Sequence, residues 1–382
     1  MGLSTLLTLD LDMYLSLTFF TLLSFFIFQY NVKKYTHRNY WLFSLFPIAL
    51  YCLTYGFRKG WGTDFSVYSN LFEGNSRLGI DSYELLFQTI VVSLRHLSDN
   101  SLLFFVVCSA MTIFSYIYVL KEHRDVLGLG LSLFYLFTAY QASNLIRYFM
   151  ALSIAYVGID FALRKKWLFS IVLFVAAFYT HAGISIFIIM ILPFFRYRIF
   201  VNLKYNIIFY VATSFISIGF IQNLFGDFIY KSISALNFGG LQLVKYADKD
   251  IVNNYILGTT WGEADKSIFY IILNWLYGLL YIYFGHKLVK KMPQIKNVEF
   301  YYQVGVFGIV FGNIANNTEI LYRVSIAFIY LSSLIFAYII KYQKRLGLNP
   351  ILYNLYLLSV IYMCFFSVKQ IYSGFDVLYV WD

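Results

Sequence analysis

Apolar runs of about twenty residues, separated by short polar connections, repeat along almost the whole chain. A helix needs about 20 mainly apolar residues to cross a hydrocarbon core of ~30 Å. Runs of that kind stand at 11–30, 39–55, 101–120, 126–142, 144–163, 206–225, 267–285, 298–315, 320–340 and 350–370. A further run, 167–195, is bounded by basic residues on both sides, Arg164, Lys165 and Lys166 before it and Arg196 and Arg198 after it. Both of its ends then belong on one side of the bilayer, so it crosses twice, and its two legs bring the expected total to about twelve crossings. The pattern predicts an all-α fold, a polytopic transmembrane helical bundle forming a single domain over 1–382 with longer outer loops at 56–100 and 226–266.

Two segments depart from the regular pattern. The run 84–97, ELLFQTIVVSLRHL, is too short to span, and reads as a short helix lying in the outer interface. In 167–195 each leg has only about 14 residues, or ~21 Å of helix, so the turn Thr180-His181-Ala182-Gly183 should sit below the outer surface. Irregular backbone at that depth is tolerated only where protein covers it or a water-filled cavity reaches it. His181 is therefore expected at the floor of an outward-facing cavity; a hairpin with longer, tilted legs is the alternative.

Lys and Arg set the orientation. Clusters at Lys33, Lys34 and Arg38, Lys121 and Arg124, Arg164 to Lys166, Arg196, Arg198 and Lys204, Lys287 to Lys296, and Lys341 to Arg345 hold most of the 29 basic residues. These connections are short, and such loops stay cytoplasmic when basic, so both termini are expected outside. Composition agrees: 60% of residues are hydrophobic, 22% aromatic and only 13% charged, against about 25% charged in soluble domains. The net charge of +10 is thus a topology signal and not a nucleic-acid stripe. Cys52, Cys108 and Cys364 lie in or beside apolar runs and suggest neither a disulfide framework nor a metal site. No basic region precedes the first apolar run, so no cleavable signal peptide is expected.

Candidate chemistry gathers at the outer level. Arg58 and Asp64 follow the second run, Glu84 opens the interfacial helix, and Arg147 and Arg323 each lie about one turn inside the outer end of a helix, with Glu319 preceding Arg323. Ionisable residues within spans are costly and by default mark a site. Arginine binds phosphate oxygens with a planar fork and stays charged, so three arginines at one level suit a diphosphate headgroup. Each alone is equally accounted for by snorkelling or by pairing with an acid such as Glu319. His181 is either a proton acceptor or a histidine that satisfies its own turn. Asp248-Lys249-Asp250 and Asp10-Leu11-Asp12 have a spacing open to Mg²⁺, but solvated loops carry such pairs commonly. There is no HExxH, P-loop or G-x-S-x-G, so ATP-driven and serine-hydrolase mechanisms lack support.

The stretch Tyr55-Gly-Phe-Arg58-Lys-Gly-Trp-Gly62-Thr-Asp64-Phe-Ser-Val-Tyr68 resembles the Arg…Gly-Thr-Asp…Tyr motif of EpsG-like, Wzy-type polysaccharide polymerases. Glu84, opening an apolar run, fits the same family pattern. Asn144-Leu-Ile-Arg147-Tyr-Phe-Met-Ala151 is similar to the family's Arg-Gln-x-x-Ala helix, with Tyr148 where Gln is usual. Tyr179-Thr-His181-Ala-Gly and Tyr322-Arg323 continue the resemblance in order, so that it spans residues 55 to 323. It implies a glycosyltransferase at the outer, periplasmic face of a bacterial inner membrane. Such an enzyme joins oligosaccharide repeat units carried on undecaprenyl diphosphate and works with no cofactor or metal. Arg58, Arg147 and Arg323 would bind the diphosphate, and Asp64 and His181 would handle the acceptor proton, with Tyr68, Glu84 and Glu319 in support. Donor and acceptor are then lipid-linked glycans, with a chain-length regulator as a further partner. The rivals are a lipid-linked oligosaccharide flippase, which needs charge along its whole depth, and another polyprenyl-linked sugar transferase or ligase.

Overall fold

The computed structural model describes residues 3–34, 39–60, 62, 64–76, 79–215, 268–315, 319–374 and 378–379. The expected outer loop 226–266, and with it Asp248 and Asp250, lies outside the described residues. The helices are α1 (Leu3–Lys34), α2 (Tyr40–Tyr55), α3 (Phe65–Phe72), α4 (Leu85–Arg95), α5 (Leu102–Leu120), α6 (Leu127–Asn144) and α7 (Ile146–Leu163). They continue with α8 (Trp167–Thr180), α9 (Ile184–Ile191), α10 (Leu203–Ser214), α11 (Ile268–Lys291), α12 (Val298–Ala315), α13 (Glu319–Leu346) and α14 (Pro350–Gly374). Two short strands, β1 (Arg58–Lys59) and β2 (Leu378–Tyr379), pair antiparallel.

Seven helices among the described residues are long and apolar enough to cross a membrane: Asp12–Lys34, Leu102–Leu120, Arg124–Asn144, Ile146–Leu163, Val298–Ala315, Leu321–Leu346 and Pro350–Ile371. The protein is therefore a multi-pass membrane protein of helical-bundle type, but the expected twelve crossings are not reached. The sequence count took any apolar run whose flanks changed side, whereas several such runs fold into helices shorter than a bilayer. Helix α2 has 16 residues and α8 has 14, about 24 and 21 Å of helix. The 8-residue α9 ends in a 3₁₀ turn, Leu192–Phe195. The run 206–225 is described only through α10, and the run 267–285 forms α11, which ends in Lys290 and Lys291.

Contacts divide the chain into two compact units, residues 1–184 with 364–382, and residues 185–363. In the first, α1 packs on α2 and α6, α5 on α2 and α7, and α7 on α8. Lipid supplies no hydrophobic drive between helices, so small residues and buried hydroxyls do much of the joining. Thr21 meets Thr54 at 3.1 Å, Thr18 meets Tyr135 at 2.8 Å, and the Tyr40 hydroxyl donates to the Ile117 carbonyl at 2.8 Å. The outer faces of α1 and α8 expose Phe19, Phe20, Leu168 and Phe169, as helices in contact with lipid do. In the second unit, Tyr281 of α11 and Tyr302 of α12 stack with centroids 6.2 Å apart. Each ring lies over a glycine of the other helix, Gly305 under Tyr281 and Gly285 under Tyr302, where a β-carbon would collide with the ring.

Candidate active site

Four separate stretches of the first unit meet around Arg147. Helices α6 and α7 are separated by Leu145 alone, so Arg147 is the second residue of α7. A cation at a helix N-terminus opposes the helix dipole and the unpaired N–H groups there, and needs an adjacent anion. Glu84 supplies it: Arg147 Nη1 donates to Glu84 Oε2 at 2.5 Å, with both side chains nearly buried. The guanidinium lies over the ring of Tyr83 at 4.8 Å and that of Phe87 at 5.6 Å, so two aromatic faces hold its plane. The Tyr68 hydroxyl lies within electrostatic reach of it.

Glu84 is the joint of the arrangement. It precedes α4, and its second oxygen, Oε1, accepts the Ala182 backbone N–H at 2.9 Å. One carboxylate thereby fixes both Arg147 and the turn after α8. That turn is where the sequence places it, with Thr180 ending α8 and His181 as its C-cap in extended conformation, φ −156° and ψ 109°. The His181 ring packs edge-on against Tyr148 with centroids 5.7 Å apart, and its Nδ1 accepts the Gly183 N–H at 3.0 Å. The run 84–97, expected in the interface, forms the 11-residue α4, about 16 Å long. Its apolar positions are divided between buried Phe87 and Val91 and exposed Leu85 and Val92.

The loop carrying Arg58 and Asp64 closes on the same region. Gly62 has φ +104°, open to glycine and strained for other residues, and a β-carbon there would stand 2.5 Å from the Ser143 carbonyl oxygen. Glycine thus lets the loop seat on the last turn of α6, directly before the start of α7. Asp64 precedes α3 and lies within electrostatic reach of Arg58, Tyr68 and Tyr83. Arg58 is buried, with its guanidinium 5.3 Å from the Phe105 ring, at a small cleft lined also by Tyr51, Tyr55, Ser109 and Thr112. Burial pushes the Arg58 guanidinium down to about 10, which still leaves it cationic at neutral pH. Burial likewise raises the Tyr68 and Tyr83 phenols, so both remain hydroxyls there. Strand β2 pairs with β1 in the register Arg58 to Tyr379, so the end of the chain returns to the backbone of Arg58.

A family model, that of the EpsG family, matches residues 41–378. The chain belongs to the EpsG family. EpsG proteins are Wzy-type polysaccharide polymerases, glycosyltransferases that act on lipid-linked sugar repeat units. No curated protein and no solved structure matches the chain. The EpsG match runs from α2 to β2 and so takes in every residue of the site.

Of the sequence candidates, the first unit brings together Arg58, Asp64, Tyr68, Glu84, Arg147 and His181. Arg323 belongs to the second unit, in α13, four positions after Glu319. Sequence reasoning missed Tyr83, Phe87, Tyr148 and the Ala182 N–H. Tyr83 and Tyr148 each adjoin a singled-out residue, Glu84 and Arg147, and that adjacency was the available signal. Asp10 and Asp12 fall inside α1, and among the described residues no three His, Cys, Asp or Glu gather as a metal site.

Proposed function

We propose that the Arg147 cluster is where a growing glycan leaves its undecaprenyl diphosphate carrier, at the outer face of a bacterial inner membrane. The observation that carries this reading is the Glu84–Arg147 pair at the head of α7, stacked on Tyr83 and Phe87. A hydroxyl of the incoming lipid-linked unit attacks the anomeric carbon of the chain. The bond from that carbon to the phosphate oxygen breaks, and the electron pair stays on the departing diphosphate. Charge therefore gathers at the phosphate oxygens as the reaction proceeds. A preorganised cation there favours the transition state over the ground state, an effect typically worth 10²–10³ in rate per donor.

Arg147 is the principal cation, with Arg58 assisting from the adjoining loop. Arg323 keeps the phosphate-binding role that its motif implies. Asp64, at the N-terminal end of α3, takes the hydroxyl proton, and Tyr68 lies within electrostatic reach of the Arg147 guanidinium. The pathway as drawn routes no step through a metal. The charge pattern of the sequence supports the outer face, because basic residues cluster on short connections, which stay cytoplasmic.

The test uses cells lacking the gene, complemented with wild type, Arg147→Ala or Arg323→Ala, with membrane levels checked and surface glycans resolved by gel. Loss of the long-chain ladder while a single repeat unit still reaches the surface supports polymerisation. Loss of both ladder and single unit would instead favour export of the lipid-linked unit.

A further inference from the structure

We propose that His181 serves the transfer as a fixed hydrogen-bond donor to the departing diphosphate, through Nε2–H, and not as the base for the acceptor hydroxyl. This rests on the polymerase reading and assigns a chemical direction to one group in it.

Gly183 N–H donates to His181 Nδ1 at 3.0 Å. A ring nitrogen that accepts must present its lone pair, so the proton of the neutral ring resides on Nε2. The opposite tautomer would set two N–H groups against each other at Nδ1. The ring has little freedom to escape this. A β-carbon at position 183 would lie 2.9 Å from Cε1, so glycine is what allows the imidazole to fold back over its own turn. Tyr148 meets the ring edge-on, and the neighbouring Ala182 N–H is held by Glu84 Oε1 at 2.9 Å. The turn is thus pinned by its own glycine, by α7 and by the residue that opens α4.

The placement then gives the donor its partner. The carboxylate that holds Ala182 also holds Arg147, so the imidazole and the guanidinium are set out from one group. Two N–H donors framed by one anion suit oxygens that gain negative charge. A base beside Arg147 would have to gain a proton next to a fixed cation, which is electrostatically opposed. In the transfer no proton leaves His181: the acceptor proton goes to Asp64, the glycosidic electron pair goes to the phosphate oxygen, and His181 shares its hydrogen with that oxygen.

Charged and titratable groups set around the turn include Glu84, which holds the Ala182 N–H, Arg147, which Glu84 also holds, and Tyr148, which meets the ring. A limb near the ordinary histidine value of ~6.5 that disappears in His181→Gln belongs to His181. The experiment measures kcat for polymerisation from pH 5.5 to 8.5, with purified protein in lipid and a synthetic lipid-diphosphate repeat unit. The enzymes are wild type, Arg147→Ala, His181→Gln and His181→Ala. The Gly183 N–H faces Nδ1 and opposes a second ring proton there, so the ring keeps its Nε2–H alone and the wild-type profile is expected to be flat between pH 6 and 8. Gln, whose amide N–H reaches where Nε2–H stands, is expected to keep activity within about tenfold, and Ala to lose roughly 10²–10³. An acid limb near ~6.5 in the wild type, absent in His181→Gln, would overturn the proposal, as would a Gln variant as inactive as Ala. The wild-type profile decides the matter even if a variant does not fold. Failure of the polymerase reading looks different: no chain growth by wild type at any pH, or full activity in Arg147→Ala.

Discussion

Replacing Glu84 by Gln tests the joint of the site with almost no change in shape. Gln can still accept the Ala182 N–H through its carbonyl oxygen, but its amide then turns N–H toward the Arg147 guanidinium. The wild-type carboxylate accepts from Arg147 at 2.5 Å and from Ala182 at 2.9 Å, and the two side chains of the ion pair are only 13% and 8% exposed. Removing one partner of a buried pair costs about 3–5 kcal/mol, because the other charge is left without compensation. Arg147 keeps part of its support from Tyr68, Tyr83 and Phe87, which puts the expectation at the lower end, about 3 kcal/mol. Catalysis should fall by roughly 10² or more, since the guanidinium is no longer held where charge develops. Thermal unfolding of the detergent-purified protein reads the first effect, and single-turnover transfer on a lipid-linked repeat unit reads the second. Glu84→Gln combined with Arg147→Gln should be less damaging to stability than the sum of the two singles. A Glu84→Gln protein with wild-type melting and turnover within twofold of wild type would refute the reasoning.

Further outcomes follow from other parts of the molecule. Gly62→Ala places a β-carbon against the Ser143 carbonyl in a conformation alanine resists, so transfer should drop steeply while expression and membrane insertion persist, as measured by blot and activity on matched membranes. Asp160 accepts from Lys121 and forms an ion pair with Arg164, both at 2.9 Å, thirteen residues and about 20 Å along α7 from Arg147. Asp160→Asn should lower the melting temperature yet leave the kcat of the folded fraction unchanged. Deleting residues 375–382 removes the strand that pairs with Arg58 and Lys59, and should raise KM for the lipid-linked donor about tenfold with little change in membrane level, by analogy with other lost positioning contacts. Treatment with EDTA should leave the rate unchanged, whereas loss restored by Mg²⁺ would require a metal in the transfer step.

Much of the site was legible because its chemistry is expensive in a membrane. Arg147 and the short-legged turn at His181 stood out against an apolar background, and Arg58, Asp64 and Glu84 stood in motifs of the EpsG pattern. What the sequence could not show was the way these are joined. That Glu84 binds a guanidinium and a backbone N–H at once depends on three elements far apart in the chain. The pairing of β1 with β2 links residues more than three hundred positions apart through two residues on each strand, too short a signal for any periodicity to carry. The crossing count failed for a different reason. Charge alternation gives the side on which a connection lies, but it does not fix helix length, and α2, α8 and α9 are apolar without being long. Tyr148 meets the His181 ring edge-on, a contact between α7 and the turn after α8 that the sequence does not show.

The central claim is that Arg147 drives departure of a lipid diphosphate during chain growth. Its most direct test is reconstitution of the purified protein in a bilayer with one synthetic lipid-diphosphate repeat unit, following product length by gel and released polyprenyl diphosphate by chromatography. Wild type should build a ladder with release matched to each added unit, and Arg147→Ala should be slower by at least about 10² while still binding the lipid-linked unit. A wild-type ladder at an undiminished rate from Arg147→Ala would contradict the account.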